Sequence, residues 1–219
     1  MNINHHPDDA TIMAYAAGAV NEGFSLVLAA HVQLCPRCRQ RLVEAHSLGG
    51  ELLEALPPAG EPDGGLADVW QRIEATPAQK PPRVPPAAPR LNGIPGVLAP
   101  YLKGELDSIS WRSLVPGIRQ HRLEGIDSGN GSVRLLSIAP GITIPFHSHR
   151  GGELTLVLQG SYTDEIGRFR RGDLADLDPE VQHQPVADTD KPCICLVATD
   201  ERLRFSGLFS RMLQPLIGI

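Results

Sequence analysis

Apolar residues recur at helical spacing over the first third of the chain and at strand spacing over the last half. Ile12, Tyr15, Ala16 and Ala19 fall at i, i+3, i+4 and i+7 and share one helix face, and Asp8 and Asp9 precede them where a helix dipole favours negative charge. A second helix is predicted from about Ser25, as cap, to about Leu34. A third begins near Pro36, whose fixed φ suits a first helical position. Leu42, Ala45, Leu48, Leu52 and Leu56 lay an apolar stripe along that third helix, which Pro57 and Pro58 end. Leu66, Trp70 and Ile73 mark a short fourth helix. Four short helices in about 75 residues enclose a small core, so a metal staple is expected there.

Between Thr76 and Arg90 lie Pro77, Pro81, Pro82, Pro85, Pro86 and Pro89, with Val84 as the one large apolar residue. This composition describes a semi-rigid, extended linker. Beyond it the pattern changes to short strands over 132–138, 142–147, 154–158, 173–177 and 193–199, punctuated by Gly, Pro and Asp. A closing helix is predicted from Gly207 to about Leu213. The expected architecture is a two-domain α + β chain: a small all-α bundle over 1–76, a linker over 77–92, and a β-sandwich or barrel over 93–219.

Composition narrows the class. The 219 residues are 42% hydrophobic and 21% charged, an ordinary globular balance that excludes collagen-like, coiled-coil and wholly disordered chains. No apolar run nears the roughly 18 residues of a membrane span, and no basic-then-apolar leader opens the chain, so a soluble cytoplasmic protein without membrane contact is expected. The net charge of −5 is unevenly spread: residues 1–75 hold ten acids against four bases, and the remainder 15 against 16. The first third should therefore be attracted to a basic protein surface and repelled by a phosphate backbone, which argues against direct nucleic-acid binding.

The four cysteines form two close pairs, Cys35/Cys38 and Cys193/Cys195, too few and too clustered for a secreted disulfide framework. His31-x3-Cys35-x2-Cys38 straddles the junction of the second and third predicted helices. The Cys-x2-Cys step lets two thiolates reach one ion, and His31 at the end of the preceding helix can reach the same point. A redox dithiol of the thioredoxin kind would be expected near a βαβ pattern, which is absent. A tetrahedral zinc needs a fourth ligand; His5 or His6 can supply it, and Pro7, which stiffens the helix entry, favours His6. An early His followed by His-x3-Cys-x2-Cys in a helical segment resembles the zinc-binding domain of bacterial anti-sigma factors. That resemblance covers residues 1–75 and carries over His6, His31, Cys35 and Cys38 as ligands of a structural zinc.

A second pattern lies among the predicted strands: Gly141-x5-His147-x-His149-x3-Glu153-x6-Gly160. His147 and His149, two apart, point to one face of a strand. Arg150, Gly151 and Gly152 can turn the chain so that Glu153 meets them, and His183 offers a fourth donor from elsewhere. The pattern is similar to that of the cupin family, a small jelly-roll-like β-barrel that holds a metal inside, over roughly 95–205. The first cupin motif matches in full, whereas the second departs, with Pro179-x3-His183 one residue short and without its Gly. Three His and one Glu suit several divalent ions, with zinc the first choice. His46 and His121 read as ordinary solvated or satisfied histidines. Cys193 and Cys195 share a strand face, either as core residues or as oxidisable thiols near the barrel metal.

Together, and in this order, the two segments resemble anti-sigma factors of the ChrR type. The resemblance implies a non-enzymatic regulator whose N-terminal zinc domain inhibits a sigma factor of the extracytoplasmic-function group. It also implies that the cupin domain is needed for the response to oxidative stress, notably singlet oxygen. The alternative is a metal-dependent cupin enzyme, a dioxygenase or isomerase, with a zinc docking module; no general acid or base can be identified for it beyond the ligands themselves.

Overall fold

The computed structural model describes residues 2–60, 65–77, 93–102, 106–188, 191–201 and 203–205. The linker expected over 77–92, beyond Pro77, and the helix expected from Gly207 to Leu213 lie outside the described residues. Four helices come first: α1 (Asp9–Ala16), α2 (Glu22–Leu34), α3 (Pro36–Glu54) and α4 (Gly65–Ala75). Asp8 caps α1 by accepting the Thr11 backbone N–H. The helix ends at Ala16, and Gly18 turns the chain with φ +67°, so Ala19 is not on its face as expected. The cap of α2 is Asn21, which accepts the Phe24 N–H at 2.8 Å. Ser25 therefore lies inside the first turn, one turn later than the true start. Cys35 ends α2 and caps α3 at once, its sulfur accepting the Cys38 N–H at 3.4 Å.

The strands are β1 (Arg112–Val115), β2 (Ile118–Arg122), β3 (Ser132–Ile138), β4 (His147–His149), β5 (Glu153–Gln159), β6 (Ser161–Thr163), β7 (Arg168–Arg170), β8 (Leu174–Leu177), β9 (Gln182–His183), β10 (Val186–Ala187), β11 (Cys193–Thr199) and β12 (Leu203–Phe205). They form a six-stranded sheet in the order β1-β2-β3-β11-β5-β8 and two three-stranded sheets, β10-β6-β7 and β12-β4-β9. The runs 132–138 and 193–199 are strands as expected. The run 142–147 is not. Pro145 interrupts it, Thr143 makes an isolated bridge to Val186, Ile144 donates to the Pro185 carbonyl, and a strand begins only at His147.

Alternation gives the large sheet two buried faces. On one side Val133, Leu135, Leu154, Leu156, Leu158, Leu174, Leu196 and Ala198 pack into a single cluster with Leu26, Val27, Leu28 and Ala30 of α2. On the other side Val157, Ala175, Leu177, Cys193, Cys195 and Val197 meet Tyr162 and Phe169 of the β10-β6-β7 sheet. The helices do not enclose a core of their own around α2. Among the described residues their separate buried cluster is Ile12, Cys35, Cys38 and Ala45, with Ile3, Ala16 and Val32 packed against it, because the main apolar face of α2 is spent on the sheet. Gly23 permits this approach: a Cβ there would meet Val133 Cγ2 at 2.7 Å. Each fully buried Leu or Val in the contact contributes about 1.5–3 kcal/mol, so α2 is anchored to the sheet and not merely tethered to it.

Candidate metal centres

The first donor set is assembled from three short segments. His31 lies in the last turn of α2, Cys35 at the α2–α3 joint and Cys38 in the first turn of α3, while His6 arrives on the extended stretch ahead of α1. One ligand atom from each lies within 4.8 Å of all the others. His6 Nδ1 is 3.4 Å from Cys35 Sγ and 3.3 Å from Cys38 Sγ. A tetrahedral ion with bonds of about 2.0 Å to nitrogen and about 2.3 Å to sulfur needs donor separations of this order.

The His31 ring decides which nitrogen would bind. Its Nδ1 donates to the Gly172 carbonyl at 3.0 Å, while Nε2 is buried without a hydrogen-bond partner. A buried lone pair left over in this way fits a metal ligand and little else. Burial, with His6 beside it, holds the His31 pKa down at about 4, so the ring is neutral as ligation requires. Burial and then the neighbouring Cys35 push the Cys38 thiol up to about 11. A Cys38 thiol so placed keeps its proton unless a cation offsets the charge. Arg41 supplies part of that offset, its Nη1 donating to Cys38 Sγ at 3.7 Å and to the Pro7 carbonyl at 2.8 Å, and its other terminal nitrogen pairing with Asp9. Sequence reasoning missed Arg41; its place one turn after Cys38 was the available signal. The structure brings His6, not His5, to the cluster. His5 instead stacks on Phe169 with ring centroids 4.1 Å apart.

The second set is less compact among the described atoms. His147 and His183 pair directly across β4 and β9, with ring centroids 4.6 Å apart. Each ring spends Nδ1 on an acceptor, His147 on the Pro145 carbonyl at 2.9 Å and His183 on Asp164 Oδ2 at 2.9 Å, which orients both rings. Glu153, buried at the start of β5, accepts the Thr155 hydroxyl at 2.8 Å. His149 lies two residues from His147 on β4, opposite Leu203, and its side chain is outside the described atoms. The carboxylate–histidine pair of Asp164 and His183 fixes the tautomer in the manner of metal sites. Burial alone would raise the Asp164 pKa, but His183 and the Gly167 and Ile166 amides hold it below the usual carboxylate value.

Cys193 and Cys195 are buried with their sulfurs 3.6 Å apart. The hydrogen bond shared with Cys193, then burial, push the Cys195 thiol well above its ordinary value. His46 is exposed, and His121 Nδ1 lies 3.2 Å from the Ser110 carbonyl oxygen. Among the described residues no helix is long and apolar enough to cross a membrane.

Helices carrying a His–His–Cys–Cys cluster, followed by sheets carrying cupin-type donors, define a two-part protein with a metal-type donor set in each part. Residues 102–202 match the family model described as the ChrR Cupin-like domain. The chain is 42% identical to the anti-sigma-E factor ChrR of Cereibacter sphaeroides over 219 residues, the full length of both. It superposes with TM-score 0.71 and 42% identity on a solved structure of Rhodobacter sphaeroides SigE in complex with the anti-sigma ChrR, covering 90% of this chain and all of that one. The chain belongs to the ChrR family of anti-sigma factors. It is accordingly a regulatory protein and not a cupin enzyme.

Proposed function

We propose that this protein is a cytoplasmic anti-sigma factor that binds a sigma factor of the extracytoplasmic-function group and releases it under oxidative stress, with singlet oxygen or a related species as the signal. The observation that carries this reading is a likeness to an anti-sigma factor at 42% identity over the full length of both chains. In this reading residues 1–76 are the inhibitory module, 77–92 the tether and 93–219 the responding part, whose three sheets curl into a cupin barrel. His6, His31, Cys35 and Cys38 hold a structural zinc, which supplies charge neutralisation for two thiolates and a rigid joint between α2 and α3. His147, His149, Glu153 and His183 hold a second divalent ion, zinc being the first choice.

The chain's own residues give the module something to bind with. Leu48, Leu52, Leu53 and Leu56 along and just beyond α3, and Leu66, Trp70 and Ile73 on α4, are all exposed. An apolar stripe of this size on folded helices suits a protein partner, and the acidic balance of residues 1–75 suits a basic one. The test is co-expression with an extracytoplasmic-function sigma factor of the same organism, followed by co-purification and transcription from its promoter with and without this protein. A stable equimolar complex and loss of transcription are expected; a sigma factor that stays active and unbound beside the zinc-loaded chain would refute the reading.

A further inference from the structure

One hairpin touches both donor sets. β6 and β7 are joined through residues 164–167, where Asp164 Oδ1 accepts the Ile166 and Gly167 amides at 3.0 and 3.1 Å while Oδ2 accepts His183 Nδ1. Past the far end of β7, the turn 171–173 reaches the helical module. The Gly172 carbonyl accepts from His31, and Asp173 Oδ1 accepts the Asn4 and His5 amides at 2.7 and 3.1 Å, gripping the segment that carries His6. Asp173 Oδ2 takes the Arg170 amide at 2.8 Å, which ties that grip to β7 itself. Between the two ends Phe169 stacks on Tyr162 at 4.9 Å and on His5 at 4.1 Å, and both Phe169 and Tyr162 are fully buried. A three-residue strand packed on both sides has no slack: displacement at Asp164 is carried through β7 to Gly172 and Asp173.

We propose that the β6–β7 hairpin and the turn behind it form a lever between the two donor sets, so that releasing His183 at one end loosens the His6–His31–Cys35–Cys38 site at the other. The proposal rests on the reading of those four residues as a metal site. It adds two positioning groups: Asp164, which acts through His183, and Asp173, which acts through the backbone of the segment that carries His6.

The full-length chain loaded with Co²⁺ provides the test, because sulfur-to-cobalt charge-transfer absorption arises only where a thiolate binds, and Cys35→Ser assigns the band by abolishing it. The rate at which excess chelator bleaches the band is then compared across variants. Asp164→Asn keeps an oxygen for the Ile166 and Gly167 amides but puts an amide NH₂ where His183 needs an acceptor; it should speed bleaching about 3- to 10-fold. Asp173→Ala, which acts directly on the site, should speed it about 10- to 100-fold, as loss of an outer-shell partner commonly does. Arg119→Gln is the control. Arg119 lies on β2, donates to the Ser137 hydroxyl at 3.4 Å and bonds to neither the hairpin nor a donor set, so its loss should leave the rate unchanged. An unchanged rate for Asp164→Asn, or an equal acceleration by Arg119→Gln, overturns the lever. Absence of the band in the unaltered chain overturns the metal reading itself, and that failure shows before any lever variant is made.

Discussion

α2 and the pair formed by the distal half of α3 with α4 are amphipathic in the same way and end in opposite states. On α2, Leu26 is 9% exposed and Val27, Leu28 and Ala30 are 0% exposed, all packed on the chain's own sheet. On the other pair, Leu52, Leu53 and Trp70 are 64, 70 and 55% exposed. Periodicity therefore fixes that a face wants covering but not by what. In this protein one helical module has two such faces, the first filled from within the chain and the second, on the proposed function, by the sigma factor. The cysteine cluster sits at the α2–α3 joint between them, which makes it the point where the occupied and the open face are held in register.

The largest effect expected is at that joint. Cys35→Ser or Cys38→Ser should remove one equivalent of zinc and abolish sigma binding, since structural zinc sites contribute about 10–16 kcal/mol of apparent binding energy to the fold that holds them. Metal analysis and co-purification read both losses; a zinc-free variant that still inhibits would show that the two faces need no joint. Next comes the occupied face. Leu28→Ala should lower unfolding stability by about 2–5 kcal/mol, as for other fully buried leucines, whereas Leu52→Ala should change it by less than about 0.5 kcal/mol. Chemical denaturation of the free chain compares the two directly, and equal losses would erase the distinction between the faces. The open face should give the converse result. Trp70→Ala, nearly silent on stability, should weaken the sigma complex by about 2 kcal/mol, roughly 30-fold in Kd, as expected of a central aromatic anchor. An unchanged Kd would mean the partner covers something else.

What could be read from the sequence follows the same division. Cys35, Cys38 and His31 were legible because their chemistry is local, three donors within eight residues across one helix junction; tetrahedral valence asked for one more ligand from His5 or His6, and only Pro7 leaned toward His6. β3 and β11 were legible because each is a short apolar run between turn residues. The docking of α2 was not, since nothing in Leu26, Val27 and Leu28 says whether the opposing surface is another helix or a sheet more than 100 residues away. The outer groups of the donor sets were hidden for a like reason. Gly172 and Asp173 meet the module across 141 and 168 or more residues of chain, and a glycine carbonyl carries no signal in its side chain. The strand expected over 142–147 failed at Pro145, a breaker visible in the sequence and outweighed in the expectation by Ile142 and Ile144.

The smallest effect concerns how α1 is held, where the contact with the sheet is polar instead of apolar. Asp176 on β8 accepts the Asp8 amide at 3.1 Å, at the cap of α1. Burial raises its pKa above the ordinary 3.8; bonds from Thr11 and the Asp8 amide pull it back, and the charges of Asp8 and Asp178 push it up again. The folded chain therefore binds this proton more tightly than the unfolded chain does. Its contribution is most favourable below the unfolded pKa and is lost as pH rises from there through the folded value, so at neutral pH the ionised carboxylate costs stability. Asp176→Asn keeps an acceptor for the Asp8 amide and removes the charge. It should raise the thermal midpoint at pH 7 by something on the order of 1 °C, with the gain shrinking as the pH is lowered toward 4. A fall in the midpoint at pH 7 would mean that the charge-assisted bond to the N-terminus of α1 outweighs the cost of burial. In that case α1 is held to the sheet by electrostatics, and the occupied side of the module joins by two different forces: apolar packing along α2 and a charged clasp at α1.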